Sequence, residues 1–280
     1  MSQDPARFGK YPVLRILGHG SSGTVYEASE PSLGRRVAIK ALLPELAREP
    51  EVRLRFRREV EVVSALHHPN VVRVFDSGEE AGRPWLAMEF IEGSDLAALL
   101  HAGPPPVEWA IDILRQLCDG LGYAHRIGVV HRDVKPSNVR VTPAGDVKLV
   151  DFGIARVPGS SLTARGVAVG SVQYLAPEQI VGTQVDGRAD VFAVGVLAFE
   201  MLSGRRPFEA DTLPATLARI AETHVDASLL PATSYSRGLE EVVLKALAHE
   251  PEGRFASFEA MRSALAEVVR NAAVRRAAAR

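Results

Sequence analysis

The first third of the chain carries short runs of β-forming residues between glycine-bearing turns, and most of the remainder has the apolar spacing of helices. Tyr11–Leu17, Thr24–Ala28 and Arg36–Leu42 predict three strands. From Glu51 to Leu66 the rhythm changes, because Val52, Phe56, Val63 and Leu66 share one helical stripe. Strands are expected again at Val71–Phe75 and Trp85–Phe90. One hairpin interrupts the helical part: Val139–Val141 and Val147–Val150 alternate about a Pro143-Ala144-Gly145-Asp146 turn. Val191–Leu202 reads as a strongly apolar helix, opened by Asp190 as a cap and closed by Gly204.

Strands first and helices after predict an α+β protein of two lobes with a cleft between them. The hinge falls near Glu89–Gly93. Residues 1–10 form an N-terminal extension, 11–91 a small antiparallel-sheet lobe with one main helix and the hinge, and 92–268 a larger, mainly helical lobe. The Ala/Arg-rich tail, 269–280, is open to three readings: a frayed helix, a disordered end, or the start of a basic segment.

Composition narrows the function classes. A chain of 280 residues can bury a core in each lobe, and 46% hydrophobic with 24% charged residues is ordinary for a globular protein. A formal net charge of -1 gives no field for nucleic acid or an acidic membrane surface. One cysteine, Cys118, excludes an internal disulfide, and its neighbours Ile111, Leu114, Leu117 and Leu121 mark it as a core residue. The polar start has no secretory pattern, and no apolar run approaches the roughly 20 residues that span a bilayer. The expectation is a cytoplasmic chain, with an anchor elsewhere in a longer protein left open.

The chemistry lies in two places. Leu17-Gly18-His19-Gly20-Ser21-Ser22-Gly23-Thr24-Val25 holds G-x-G-x-x-G between predicted strands, where glycine lets backbone N–H groups approach phosphate oxygens. The same spacing marks a dinucleotide-binding turn, but that turn needs a helix after its third glycine and Thr24-Val25-Tyr26-Glu27 is strand-like. Lys40 follows the apolar strand Val37-Ala38-Ile39 and can reach inward to the α- and β-phosphates. Glu59 sits amid the apolar stripe of the following helix, where a carboxylate is costly unless paired, and Lys40 is its expected partner. Farther on, His131-Arg132-Asp133-Val134-Lys135-Pro136-Ser137-Asn138 and Asp151-Phe152-Gly153 flank the hairpin, so Asp133, Asn138 and Asp151 are expected at one rim.

These motifs, in this order, resemble the protein kinase superfamily, most nearly the eukaryotic-like serine/threonine kinases of bacteria, from about Tyr11 to about Val268. The resemblance implies ATP- and Mg2+-dependent transfer of the γ-phosphoryl group to serine or threonine hydroxyls of proteins, with Mn2+ as a substitute metal. It assigns Asp133 to the attacking hydroxyl and Lys135 to the γ-phosphoryl charge. Asn138 and Asp151 take the metal, and Lys40 with Glu59 forms an on/off pair. It extends the ATP site from Leu17–Gly23 to Val25, Ala38, Met88 as gatekeeper, the backbones of Glu89 and Ile91, Asp95 at the ribose and Arg140 beneath adenine. His131 and Phe152 become packing residues, Asp190 a tether for the His131-Arg132-Asp133 backbone as well as a helix cap, and Arg254 the buried partner of Glu178 in Ala176-Pro177-Glu178. Arg132 would pair with a phosphate on the loop 154–176, where Thr163 is the expected autophosphorylation site beside Ser160, Ser161 and Ser171; a homodimer would serve that step.

Two positions depart from the family pattern. Ser171 stands where threonine is usual, with its hydroxyl kept. Arg140 replaces the apolar residue expected under adenine, where its stem or planar head would lie against the purine. A pseudokinase or ATP-binding scaffold would be expected to lose some of Lys40, Glu59, Asp133, Asn138 and Asp151, and all are present. A small-molecule phosphotransferase would lack the Ala-Pro-Glu segment.

Overall fold

The computed structural model describes residues 5–152, 172–182, 185–233 and 235–278. Its N-terminal lobe is an antiparallel sheet of β1 (Arg7–Phe8), β2 (Tyr11–His19), β3 (Gly23–Glu30), β4 (Arg35–Leu42), β5 (Val74–Glu80) and β6 (Arg83–Glu89), in the order β1-β2-β3-β4-β6-β5. Strand alternation sorts β4 by face. Val37, Ile39 and Ala41 join Phe8, Tyr11, Tyr26 and Trp85 in an aromatic core. Ala38, Lys40 and Leu42 point the other way, toward the cleft and the helices α1 (Pro44–Ala47) and α2 (Pro50–Ser64). Helix α2 packs Val52, Phe56 and Val60 against Leu42 and Leu86.

One strand differs from expectation. β5 begins at Val74 rather than Val71 and runs on to Glu80. Its outer half, Ser77-Gly78-Glu79-Glu80, lies on the sheet edge and is polar, so no alternation marks it. Val71 and Val72 instead reach the other lobe, Val72 N–H donating to the Leu149 carbonyl at 2.9 Å.

The C-terminal lobe contains α3 (Leu96–Leu100), α4 (Val107–Arg126), α5 (Pro177–Val181), α6 (Arg188–Ser203), α7 (Leu213–Glu222), α8 (Ser236–Ala246) and α9 (Phe258–Ala278). Its three-stranded sheet joins β7 (Ser94–Asp95) to the hairpin β8 (Val139–Val141) and β9 (Val147–Leu149). Helix α6 is buried on every side from Ala189 to Phe199, which suits its continuous apolar sequence, and it ends at Gly204 with φ 70°. Asp190 is inside its first turn, not its cap. Cys118 is buried among the apolar side chains of α4, and burial pushes its thiol pKa up. The tail is helical through Ala278: Ala272 is buried, and Arg276 bonds Glu108 at 3.1 Å and lies over the Tyr235 ring. Among the described residues no helix is long and apolar enough to cross a membrane.

Candidate active site

The upper wall of the cleft follows from register. Val25 lies opposite Lys40, and Ala38 opposite Met88, so all four share one face of the sheet. Ala38 and Met88 cluster with Val72, and Val25, Phe90, Ile91 and Val150 pack against them. Four of the sequence-predicted adenine residues therefore meet in one apolar cluster. Above it, Leu17 is 39% exposed and Gly18 has no atom near the position of a Cβ, which leaves the loop open. The loop is closed by Gly20 N–H donating to the Gly23 carbonyl at 2.8 Å and by a His19–Thr24 side-chain contact at 3.3 Å. Ser22 accepts from Leu43 N–H at 3.1 Å, and Ser21 is exposed. At Gly23 a Cβ would meet the Ala41 carbonyl at 2.5 Å, so glycine there allows β3 to lie tight on β4 beside Lys40. A strand, not a helix, follows the third glycine.

The lower wall is built by backbone tethers. Asp190, 1% exposed, accepts from the N–H groups of His131 at 2.8 Å and Arg132 at 2.7 Å, and from His125 Nε2 at 2.8 Å. These bonds hold Arg132 at φ 64°, an unfavourable value for a side-chain-bearing residue, and so shape the turn that presents Asp133. His131 is fully buried and its pKa is lowered by burial. A neutral ring fits its neighbours: Nε2 donates to the Val150 carbonyl at 3.1 Å and Nδ1 accepts from Asp133 N–H at 3.3 Å. Its ring packs on Phe152 at 4.5 Å, which seats the two loops together.

Asp133 Oδ2 lies 2.8 Å from Lys135 Nζ and accepts from Asn138 Nδ2 at 3.0 Å; Nδ2 also bonds the Asp133 carbonyl at 2.8 Å. With its amide nitrogen fixed there, Asn138 turns Oδ1 away from Asp133. Val150 N–H donates to the Asn138 carbonyl at 3.0 Å, so the hairpin brings its ends together as expected.

The expected Lys40–Glu59 pair is not formed. Lys40 Nζ instead meets Asp151 Oδ1 at 2.7 Å. Burial would raise the Asp151 pKa, but the Lys40 charge and hydrogen bond override it and hold the carboxyl below its ordinary value. Glu59 Oε2 is buried without a hydrogen-bond partner, and burial raises that carboxyl to about 7 against the pull of Arg55, Arg132 and Lys40. The ammonium thus keeps ionised the carboxylate it contacts and leaves the other to the effect of burial. Asp151 and Asn138 Oδ1 supply hard oxygen donors of the kind that suits Mg2+ with water and phosphate completing its shell.

Arg140 differs from its expected pose as well. Its Nη2 donates to the carbonyls of Ile91 at 3.2 Å and Gly93 at 2.5 Å, so the guanidinium is anchored on the hinge backbone. Asp95 caps α3, with Oδ1 accepting from Ala98 N–H at 2.8 Å. Glu89 N–H donates to the Arg73 carbonyl, and its carboxylate meets Lys148 at 2.9 Å. Glu178 and Arg254 form the expected bidentate pair at 2.7 and 2.8 Å, with the Arg254 side chain fully buried.

Gly153, Ser160, Ser161, Thr163 and Ser171 lie outside the described residues. Three contributors were not found from the sequence. His125 joins Asp190 across 65 positions. Asn70 Nδ2 donates to the Val147 carbonyl across 77. Gln179 Nε2 donates to the Arg132 carbonyl at 3.1 Å, joining α5 to the turn that carries Asp133. Their side chains have no distinctive local spacing, and only the fold reveals them.

The sequence profile of the protein kinase domain matches residues 11–266. The chain belongs to the protein kinase family. It is 40% identical over 92% of its length to serine/threonine-protein kinase PknB of Mycobacterium tuberculosis, and 42% identical over 94% to serine/threonine-protein kinase Pkn1 of Myxococcus xanthus. It spans 43% and 39% of those two proteins. The crystal structure of a doubly substituted kinase domain of Mycobacterium tuberculosis PknI matches with a TM-score of 0.77 and 32% identity, covering 96% of this chain and 99% of that one. The fold is accordingly the bilobal α+β kinase fold. Members of this family use ATP and a divalent metal, which the apolar cluster and the oxygen donors of this cleft suit.

Proposed function

We propose that this chain is the catalytic domain of a cytoplasmic serine/threonine protein kinase, transferring the γ-phosphoryl group of Mg2+-bound ATP to protein hydroxyls, with Mn2+ able to substitute. The observation that carries this reading is the compact set Asp133, Lys135 and Asn138, fixed by Asp190 and facing the Lys40–Asp151 pair across the cleft.

Each residue has a task that its surroundings support. Asp133 orients the attacking hydroxyl and accepts its proton. Lys135, already 2.8 Å from that carboxylate, moves only slightly to meet charge developing on the transferred group. Asn138 Oδ1 and the Asp151 carboxylate hold the metal, whose charge supplies electrostatic stabilisation of the phosphates. Lys40 passes from Asp151 to Glu59 and the phosphates when the site is assembled. Val25, Ala38 and Met88 enclose the base, while Leu17–Gly23 cover the triphosphate. Thr163 is the favoured autophosphorylation site, modified between copies in a transient homodimer, with Ser160, Ser161 and Ser171 as secondary candidates.

The test is transfer of radiolabelled phosphate from ATP to a generic basic protein. Asp133→Asn is expected to lower kcat by about a thousandfold or more, the order attributed to base and positioning effects together, while nucleotide binding is retained. Turnover unchanged by that substitution would refute the assignment.

A further inference from the structure

Arg140 is the one cleft residue whose chemistry the family reading leaves unexplained. Its cross-strand neighbour on β9 is Lys148, so two cations face each other directly across the hairpin, a pairing that repels. The repulsion is offset at the hinge, where Lys148 reaches the Glu89 carboxylate and Arg140 reaches two backbone carbonyls. Val139 and Val141, on either side of Arg140, are buried in the lower lobe, so Arg140 faces the hinge and the nucleotide cleft. Asp95 lies opposite it on β7. Gly93 brings the hinge hard onto β8: at its φ of 118°, a Cβ would sit 2.1 Å from the Val141 carbonyl. Arg140 thus holds a seam whose backbone is already in close contact.

The choice of carbonyl has a chemical consequence. A purine that pairs with an extended backbone aligns three positions along one edge. On the family reading, adenine at this hinge would set its 6-amino donor on the Glu89 carbonyl, its N1 acceptor on the Ile91 N–H, and its C2 edge beside the Ile91 carbonyl. Adenine carries only hydrogen at C2. Guanine and 2-aminoadenine carry an amino donor there, which needs that carbonyl. We propose that Arg140 is a base-selectivity residue: by engaging the Ile91 carbonyl with a guanidinium, it rejects purine nucleotides that bear a donor at C2. A second donor brought to the same oxygen would meet a positive charge and lose its hydrogen bond, a repulsive element of the kind that makes specificity.

The inference rests on the ATP-binding reading, and the experiment separates the two. Equilibrium affinities of this chain for Mg2+-ATP and for the Mg2+ complex of 2-aminoadenosine triphosphate are measured by calorimetry, for wild type, Arg140→Met and Arg140→Gln. Wild type is expected to prefer ATP by about tenfold or more, the scale of one lost charge-flanked hydrogen bond. Both variants are expected to bring the ratio close to one. A merely structural lesion would weaken both nucleotides alike and leave the ratio where it was, which would overturn the proposal. Equal wild-type affinity for the two would overturn it without recourse to any variant. A wild-type chain that binds neither nucleotide would instead refute the ATP site itself.

Discussion

Lys40 acts electrostatically on two carboxylates and bonds one of them. Its contact holds Asp151 ionised against the effect of burial, whereas Glu59 lacks a partner for Oε2 and burial raises it to about 7. Because the Glu59 pKa is raised, its contribution to this arrangement is full below the ordinary value of 4.5 and is lost as pH passes about 7. Ionised Glu59 then competes for Lys40. Phosphotransfer is therefore expected to climb through that pH interval, and Glu59→Gln is expected to lack the climb and to lose about a hundredfold in kcat/KM, as a misplaced phosphate ligand does. A pH profile of both proteins decides it. A Glu59→Gln profile that still climbs like the wild type would assign the titration elsewhere. That Lys40, Glu59 and Asp151 belong to one site is what the motifs imply through the family resemblance. Which pair is closed was not legible, because that depends on where the folded chain places each carboxylate relative to the ammonium.

At the scale of elements, loops are held by helices that look purely structural in sequence. Asp190 of α6 satisfies the backbone N–H groups of His131 and Arg132, and its replacement by alanine leaves one buried and one part-buried donor without that acceptor. Asp190→Ala is expected to cost about 3 kcal/mol in denaturant unfolding, at roughly 1–3 kcal/mol per orphaned donor, and to depress turnover further than ATP binding. The sequence offered Asp190 as a helix cap and the resemblance offered it as a tether for the His131-Arg132-Asp133 backbone; the helix starts two residues earlier, so the cap is not formed, and the carboxylate bonds that backbone. Glu178 and Arg254 join α5 to the loop before α9. Arg254→Ala removes the bidentate partner of the buried Glu178 carboxylate and is expected to destabilise by about 3–5 kcal/mol, whereas Arg254→Met with Glu178→Leu recovers most of that loss. Thermal and denaturant melts of the three proteins test the pair. The outer half of β5 escaped the sequence reading for a related reason, since an edge strand needs no apolar alternation and that polar half carries none.

Across the whole molecule, the lobes are joined by more than the hinge. Val72 and Asn70, which follow α2, bond the hairpin that carries the catalytic loop, so the N-terminal lobe is fastened behind the cleft as well as beside it. The bilobal plan was legible because strands and helices segregate along the chain. The docking of the tail was not, since alanine and arginine are compatible with a free helix or a packed one. Removal of residues 269–280 uncovers the Ala272 site and cuts the Arg276–Glu108 contact. A loss of about 1–2 kcal/mol is expected, the scale of a small buried apolar area plus a weak exposed ion pair, readable as a lower Tm. An unchanged Tm would show that the last turns of α9 add nothing.

The salt link between Lys40 and Asp151 also bears on how a divalent ion enters. A carboxylate already neutralised is a poorer trap for calcium-sized or smaller dications than a bare one, because arrival must evict a resident positive charge. Loading is thereby thermodynamically coupled to the swing of a single side chain, and Lys40→Met, though disabled for transfer, should take up Mg2+ or Mn2+ more tightly than the intact protein.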